Sequence, residues 1–253
     1  MIRKQGFVAL LDVLGFSERV TRDIEPGGLD RYIDTVGGLA LLHQGIETIL
    51  FSDTVVLYTF DDSPESYANV VALTSALSYH LLMAEVPIRG AIAHGAFARS
   101  EHDDHGAVVA GRPIIEAHGF ESQLQWIGTM LTPSVLRQVP SLSSAGPLSG
   151  PQGTEDREQY CGRVIREARV QRCARIPVQP QHQIDPSFLE GFGVVPLPGP
   201  IETPEDVKNG LGEVLAKLRW LKQLAPEPRS QAKYHHSIAW LESLYNYWIS
   251  SLR

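Results

Sequence analysis

The sequence predicts an α+β fold, with helices laid on a mainly antiparallel sheet, and three observations predict it. Short apolar runs of β character alternate with stretches of helical period in the order β, α, β, β, α, β between residues 6 and 94. Turn residues punctuate the boundaries: Gly15, Glu25-Pro26-Gly27-Gly28, Ser52-Asp53 and Ser63-Pro64. The 253 residues are 43% hydrophobic and 20% charged, enough apolar material for one large domain or a domain with an appendage. That composition excludes disordered, collagen-like and coiled-coil chains.

Taken in order, Gly6 to Val13 reads as a strand, and Gly15 turns the chain into an amphipathic stretch that runs to Leu42 with a break at Glu25 to Gly28. Gly45 to Phe60 holds two β-rich runs around Ser52-Asp53, the form of a hairpin with polar residues at its apex. Ser63-Pro64 supplies an N-cap and a proline at the first helical position, and Val70, Leu73, Leu77 and Leu81 continue at helical spacing toward Glu85. Pro87 to His94 is a further strand. Gly95 to Arg99 begins a turn or partner strand, and Gly106 to Ala110 returns as β. Ile114 to Gln125 reads as helix, Trp126 to Thr129 as a short strand, and Thr132-Pro133 starts another helix. The βαββαβ order is that of a ferredoxin-like core, with helices expected on one face of the sheet.

This core spans residues 1–139. A Pro/Gly/Ser-rich connection follows at 140–157, and an extension at 158–253 ends in two amphipathic helices. Thr203-Pro204 caps the first, striped by Val207, Leu211, Val214, Leu218 and Leu221; Ile238, Leu241, Leu244 and Trp248 stripe the second. Packing of these helices on their own domain is expected, with dimerisation as the alternative.

A formal charge of −7 argues against general attraction to nucleic acid or anionic lipid, so a polyanionic ligand would need a local site. The N-terminal apolar run is broken by Asp12 and lacks a cleavage pattern, which predicts a soluble, cytoplasmic protein without a membrane span. Cys161 and Cys173 match no compact zinc or redox spacing.

Asp12 and Asp53 both interrupt apolar β runs. If their strands are neighbours the carboxylates converge, and two such anions repel unless a cation or a proton stands between them. Magnesium or manganese, which take oxygen ligands and share their shell with phosphate, fits best. Alternatively, one aspartate caps a turn and the other is solvated. Gly15-Phe16-Ser17 offers free amides at a strand-to-helix turn, and Arg89 within a β run could clamp a phosphate or pair on an edge strand. Together these residues describe a metal–triphosphate site.

From Phe7 to Val139 the sequence resembles the class III nucleotidyl cyclases. The likeness rests on Asp12-Val13-Leu14-Gly15-Phe16, on Phe51-Ser52-Asp53, on Arg89, Ile92 and Gly95, and on Gly111, Ile114 and Ala117 with Glu121 beyond. The resemblance implies that Asp12 and Asp53 hold two divalent cations, magnesium or manganese, with the backbone carbonyl of Val13 as a further ligand. It implies substrate contacts from Phe16, Ser17, Ile49, Phe51 and Arg89, with Arg89 on the triphosphate. It also implies attack of the ribose 3′-oxygen on the α-phosphate in a homodimer with composite sites.

The departures are informative. Ile49 stands where adenylate cyclases place an adenine-directing lysine, Val108 near the second adenine-directing position, and Ile115 and Gly119 at the family's transition-state asparagine and arginine. Glu116, His94, His118 or a basic group from a partner subunit are candidates to replace that pair. FVALLDVLGFSERV, RGAI, IEAHGFE and KYHHSIAWLESLYNYW look like the branch found in bacterial Pycsar antiphage systems. That branch implies a cyclic pyrimidine nucleotide made from UTP or, failing that, CTP, and a separately encoded effector that answers to it. A catalytically silent nucleotide-binding module is the other expectation. His102, Asp103, Asp104 and His105 form a turn tract expected to be solvated.

Overall fold

β1 (Ile2–Val13) lies inside the sheet, and its Phe7 to Leu11 are all buried, so both of its faces are covered. The computed structural model describes residues 2–16, 28–43, 45–100, 109–139, 173–175, 192–198 and 203–250. Ser17, Val108, His102 to His105, Cys161, the 140–157 connection and the side chain of Trp248 lie outside the described residues.

After β1 come α1 (Gly28–Leu42), the hairpin β2 (Ile46–Phe51) and β3 (Thr54–Thr59), α2 (Pro64–Met83) and β4 (Ile88–Arg99). The strands align as β2-β3-β1-β4, every pair antiparallel, which is the βαββαβ core in an α+β fold. Beyond it lie β5 (Val109–Gly111), α3 (Arg112–Gln123), β6 (Gly128–Leu131) and the short α4 (Pro133–Gln138). β6 runs parallel to β4, and β5 pairs with the far end of β4.

α2 begins as expected: Pro64 occupies its first turn and the Ser63 side chain accepts from the Ser66 amide at 3.1 Å. Other boundaries differ for identifiable reasons. β4 does not end at Gly95, because β1 pairs with it without interruption from Ile2 opposite Arg99 to Val13 opposite Ile88. Gly95 sits inside that strand at φ 155°, a conformation that favours glycine. β6 starts two residues later than expected. Trp126 instead packs edge-on against Trp240 at 4.7 Å, and both backbone groups of Ile127 are bonded to the Ser237 hydroxyl.

Helices occupy both faces of the sheet, not one. Phe7, Ala9, Leu11 and Val13 cluster with Tyr32 and Val36 of α1 and with Val70, Leu73 and Leu77 of α2. Leu10, Ala91 and Ala93 point the other way, toward Ala117 of α3 and Leu124. Alternation along β1 thus divides the core into two large clusters, with Val8, Tyr58 and Phe97 in a third, small one.

The extension is built onto the same sheet. β8 (Phe192–Val194) pairs antiparallel with β6, and β7 (Cys173–Arg175) pairs with β8. These three-residue strands carry too few positions to show a period in the sequence. α5 (Pro204–Leu224) starts with a reciprocal Thr203/Asp206 capping box. Its stripe Val207, Leu211, Val214, Leu218 joins Ile238, Leu241 and Leu244 of α6 (Pro228–Ser250) in the cluster with Tyr79 and Leu82 of α2. The helical tail therefore packs in cis. Among the described residues, no helix is long and apolar enough to cross a membrane.

Candidate active site

Strand register builds the site. Phe51, Thr54, Asp12, Arg89 and Gly128 are successive partners across β2, β3, β1, β4 and β6. Directly paired residues share a face, so Phe51, Asp12 and Arg89 form one row on the face that α3 also covers. Ile49 stands in the neighbouring row of that face with Val56, Leu10 and Ala91. Val13 points to the opposite face, 3% exposed in the α1/α2 core, which leaves only its backbone for the site.

Asp53 reaches the row through the turn. Ser52, at φ 56°, lets the hairpin reverse in two residues, and the Val13 amide donates to the Asp53 carbonyl at 2.9 Å. The strand ends that carry Asp12 and Asp53 are thus tied together, and the two carboxylates act on each other electrostatically. On the other side of β1, Leu14 N donates to Pro87 O at 2.9 Å. Gly90 keeps the strands close there: a Cβ would lie 2.4 Å from the Leu10 carbonyl oxygen and 2.6 Å from Leu11 Cδ2.

Arg89 is held by three partners. Its Nη2 is 3.6 Å from Asp12 Oδ2, its Nε is 2.6 Å from Glu121 Oε1, and its Nη1 donates to Leu124 O at 3.4 Å. Glu121, on the buried face of α3 one turn after Ala117, is 3% exposed. Burial, reinforced by the negative charge of Glu121, raises the Asp12 carboxyl to about 6 against the pull of Arg89. Tyr32 of α1 lies near the same aspartates. Burial, then Asp53 and Asp12, push its phenol above the usual range, and its buried hydroxyl has no partner among the described residues. Phe16 packs edge-on against Tyr32 with ring centroids 6.1 Å apart.

The structure therefore pairs Asp12 with Arg89 and ties the Asp53 turn to the same strand end, with Phe51 in their row and Ile49 in the next, while the side chains of Val13 and Phe16 pack with the α1/α2 core. Phe51 is 77% exposed. Of the residues expected to stand in for the family's asparagine and arginine, His94 and Glu116 lie apart from this row and His118 borders it through Glu121. His94 lies five residues further along β4, about 16 Å at the strand rise, where its Nε2 is 3.4 Å from Asp62 Oδ2. Glu116 accepts from the Ser134 amide at 3.2 Å at the start of α4, beside a cavity of about 410 Å³ that His94 and Arg137 also line. His118 is exposed, 3.7 Å from Glu121. Ile115 is 74% exposed, and nothing lies within 4 Å of where a Cβ on Gly119 would stand.

Sequence reasoning missed three contributors: Glu121 as the partner of Arg89, Tyr32, and Lys233. Glu121 had a signal, an acid four residues after Ala117 on the apolar side of a helix. Lys233 opens the KYHHSIAWLESLYNYW segment, but its approach to the core is set by tertiary packing of the tail, which that segment alone does not reveal.

No family model matches the chain, and no curated protein matches it. Among solved structures, the chain is similar to the adenylyl cyclase CyaB from P. aeruginosa, at 17% identity and a TM-score of 0.48, over 56% of this chain and 83% of that one. It is similar to the guanylate cyclase domain of RhGC from Catenaria anguillulae in complex with GTP, at 13% identity and a TM-score of 0.45, over 55% and 84%. A third is the catalytic core of a rhodopsin-guanylyl cyclase with converted specificity in complex with ATPalphaS, at 11% identity and a TM-score of 0.45, over 77% and 97%.

Proposed function

We propose that the chain is a nucleotidyl cyclase that converts a pyrimidine nucleoside triphosphate, UTP in preference to CTP, to its 3′,5′-cyclic monophosphate and pyrophosphate. The observation that carries this reading is the convergence of Asp12, Asp53 and Arg89 at one end of three adjacent strands. Two carboxylates beside one guanidinium make a poor structural cluster and a good site for cations that escort phosphates.

The residues fit two divalent cations of the magnesium or manganese type. Asp12 and Asp53 offer carboxylate oxygens, and Val13 a backbone oxygen. The raised Asp12 carboxyl, which burial and the nearby charges of Glu121 and Asp53 leave short of positive charge, suits such cations. Such cations, when bound, lower the pKa of the attacking hydroxyl and spread the charge that develops on the phosphates.

In this reading Arg89 and the backbone amides of Phe16 and Ser17 bind the phosphate chain. The 3′-oxygen bonds to the α-phosphorus, the bond from that phosphorus to the bridging oxygen breaks, pyrophosphate leaves, and the hydroxyl proton passes to solvent. Ile49 and the neighbouring apolar row replace the charges that read adenine, which suits a pyrimidine. The exposed Phe51 on the same face supports a homodimer in which a second subunit closes a composite site. Antiphage signalling from the cytoplasm through a separately encoded effector belongs to the same proposal. The ion pairs that hold Arg89 favour one second reading, a catalytically silent nucleotide-binding module.

Incubation with each of the four ribonucleoside triphosphates and manganese, with products resolved by chromatography, tests the proposal. A cyclic pyrimidine product is expected, falling by about a thousandfold in Asp53→Ala, the several kcal/mol of charge stabilisation a bound cation supplies. Nucleotide binding without turnover of any of the four would support the silent module.

A further inference from the structure

We propose that Lys233, carried by the C-terminal helix α6, is a phosphate-binding residue of this same site, so that the extension completes the pocket in cis. The inference rests on the triphosphate reading above and adds a cation that the core does not contain.

One short segment, Leu124 to Ile127, is shared by the site and the helix. Arg89 Nη1 donates to Leu124 O, and Gly128, just after the segment, is the register partner of Arg89. On the other side His236 Nδ1 is 2.9 Å from Gln125 O, and the Ile127 amide donates to Ser237 Oγ at 2.7 Å. The same hydroxyl lies 3.0 Å from the carbonyl oxygens of both Ile127 and Lys233. Trp240 against Trp126 fixes the next turn. Ser237, one turn after Lys233 on α6, therefore ties the helix to the loop beside Arg89.

The electrostatics agree with that placement. Asp12 feels Glu121, Arg89, Asp53 and Lys233, and Lys233 in turn feels Arg89, Arg229, Asp12 and Glu121. Burial, and then the neighbouring charges of Arg89 and Arg229, hold its ammonium below the ordinary lysine range. Asp12 and Glu121 offset part of that repulsion. Arg89 is already matched by Asp12 and Glu121, so a triphosphate needs positive charge from another source. α3 offers none at Ile115 and Gly119. Lys233 lies on a helix of the extension that reaches this end of the core.

Tripolyphosphate with manganese is the probe, because it reads phosphate binding without requiring cyclisation. Calorimetric titration of the full chain should show about tenfold weaker binding in Lys233→Gln and near wild-type binding in Lys233→Arg, with unchanged melting. Lys233→Met replaces the glutamine variant if that one does not melt cooperatively. Wild-type affinity in the neutral variants, equal losses in the neutral and arginine variants, or no binding by the wild type would each overturn the proposal. Triphosphate turnover measured in parallel separates the two claims. Charge-dependent binding without cyclic product sinks the cyclase reading alone, and cyclic product at wild-type KM from Lys233→Gln sinks this one alone.

Discussion

Leu11 and Asp12 are neighbours in one strand and live in different chemical worlds. Leu11 is fully buried beneath α1 and α2 among side chains without charge. Asp12 faces the other side, where Arg89, Glu121 and Lys233 gather at the end of the sheet. The first face holds the core together. The second carries three groups whose burial is costly unless a partner or ligand offsets it. A strand can serve both needs because its side chains alternate, so the chemistry occupies positions that the α1/α2 core does not require.

Breaking the charged side should cost most. Arg89→Ala leaves Glu121 buried without its partner and should destabilise the protein by about 3–5 kcal/mol in chemical denaturation. Adding Glu121→Gln should recover most of that stability while activity stays lost, which separates the structural burden of the pair from its use. If both variants are as stable as the wild type, the charged cluster is not a strained one.

On the apolar side, Leu11→Ala should cost about 3 kcal/mol through the cavity it leaves, with turnover per folded molecule unchanged. A fall in kcat matching the fall in stability would show that the faces are not separable.

The smallest effect should be a gain. Asp12 has its carboxyl raised to about 6 from 3.8, so its favourable contribution is present at low pH and is lost as pH rises through about 6. In the absence of divalent cations, Asp12→Asn should therefore stabilise the protein by about 2 kcal/mol near pH 7.5, while abolishing activity. The advantage should shrink toward pH 4 and vanish when manganese is added to the wild type. Thermal melting across pH, with and without manganese, checks both signs.

What the sequence made legible followed from local rules. The interruption of an apolar run by Asp12, the hairpin around Ser52-Asp53, the Ser63-Pro64 start of α2 and the Thr203 cap all carry their reasons within a few residues. Register then made neighbours of residues that the sequence could only suggest were neighbours. What was hidden depended on distant partners. Trp126 and Ile127 look like strand and are drawn out of the ladder by Trp240 and Ser237. The side of the sheet on which α3 lies is a matter of chain path, and its apolar spacing is the same either way. Besides Asp12, the carboxylate that meets Arg89 is Glu121, which belongs to that helix.

Length is as much a part of this chemistry as residue identity. The five-strand row holds because each strand arrives in phase with the next, and a two-residue reversal at Ser52-Asp53 sets the phase of β2 against β3. One amino acid gained or lost inside Ile46 to Phe51 would exchange the sides of the residues beyond it, moving Ile49 or Phe51 from the face that carries Asp12 to the opposite one. Insertions that preserve such a pocket are therefore confined to the connecting loops, or come in twos.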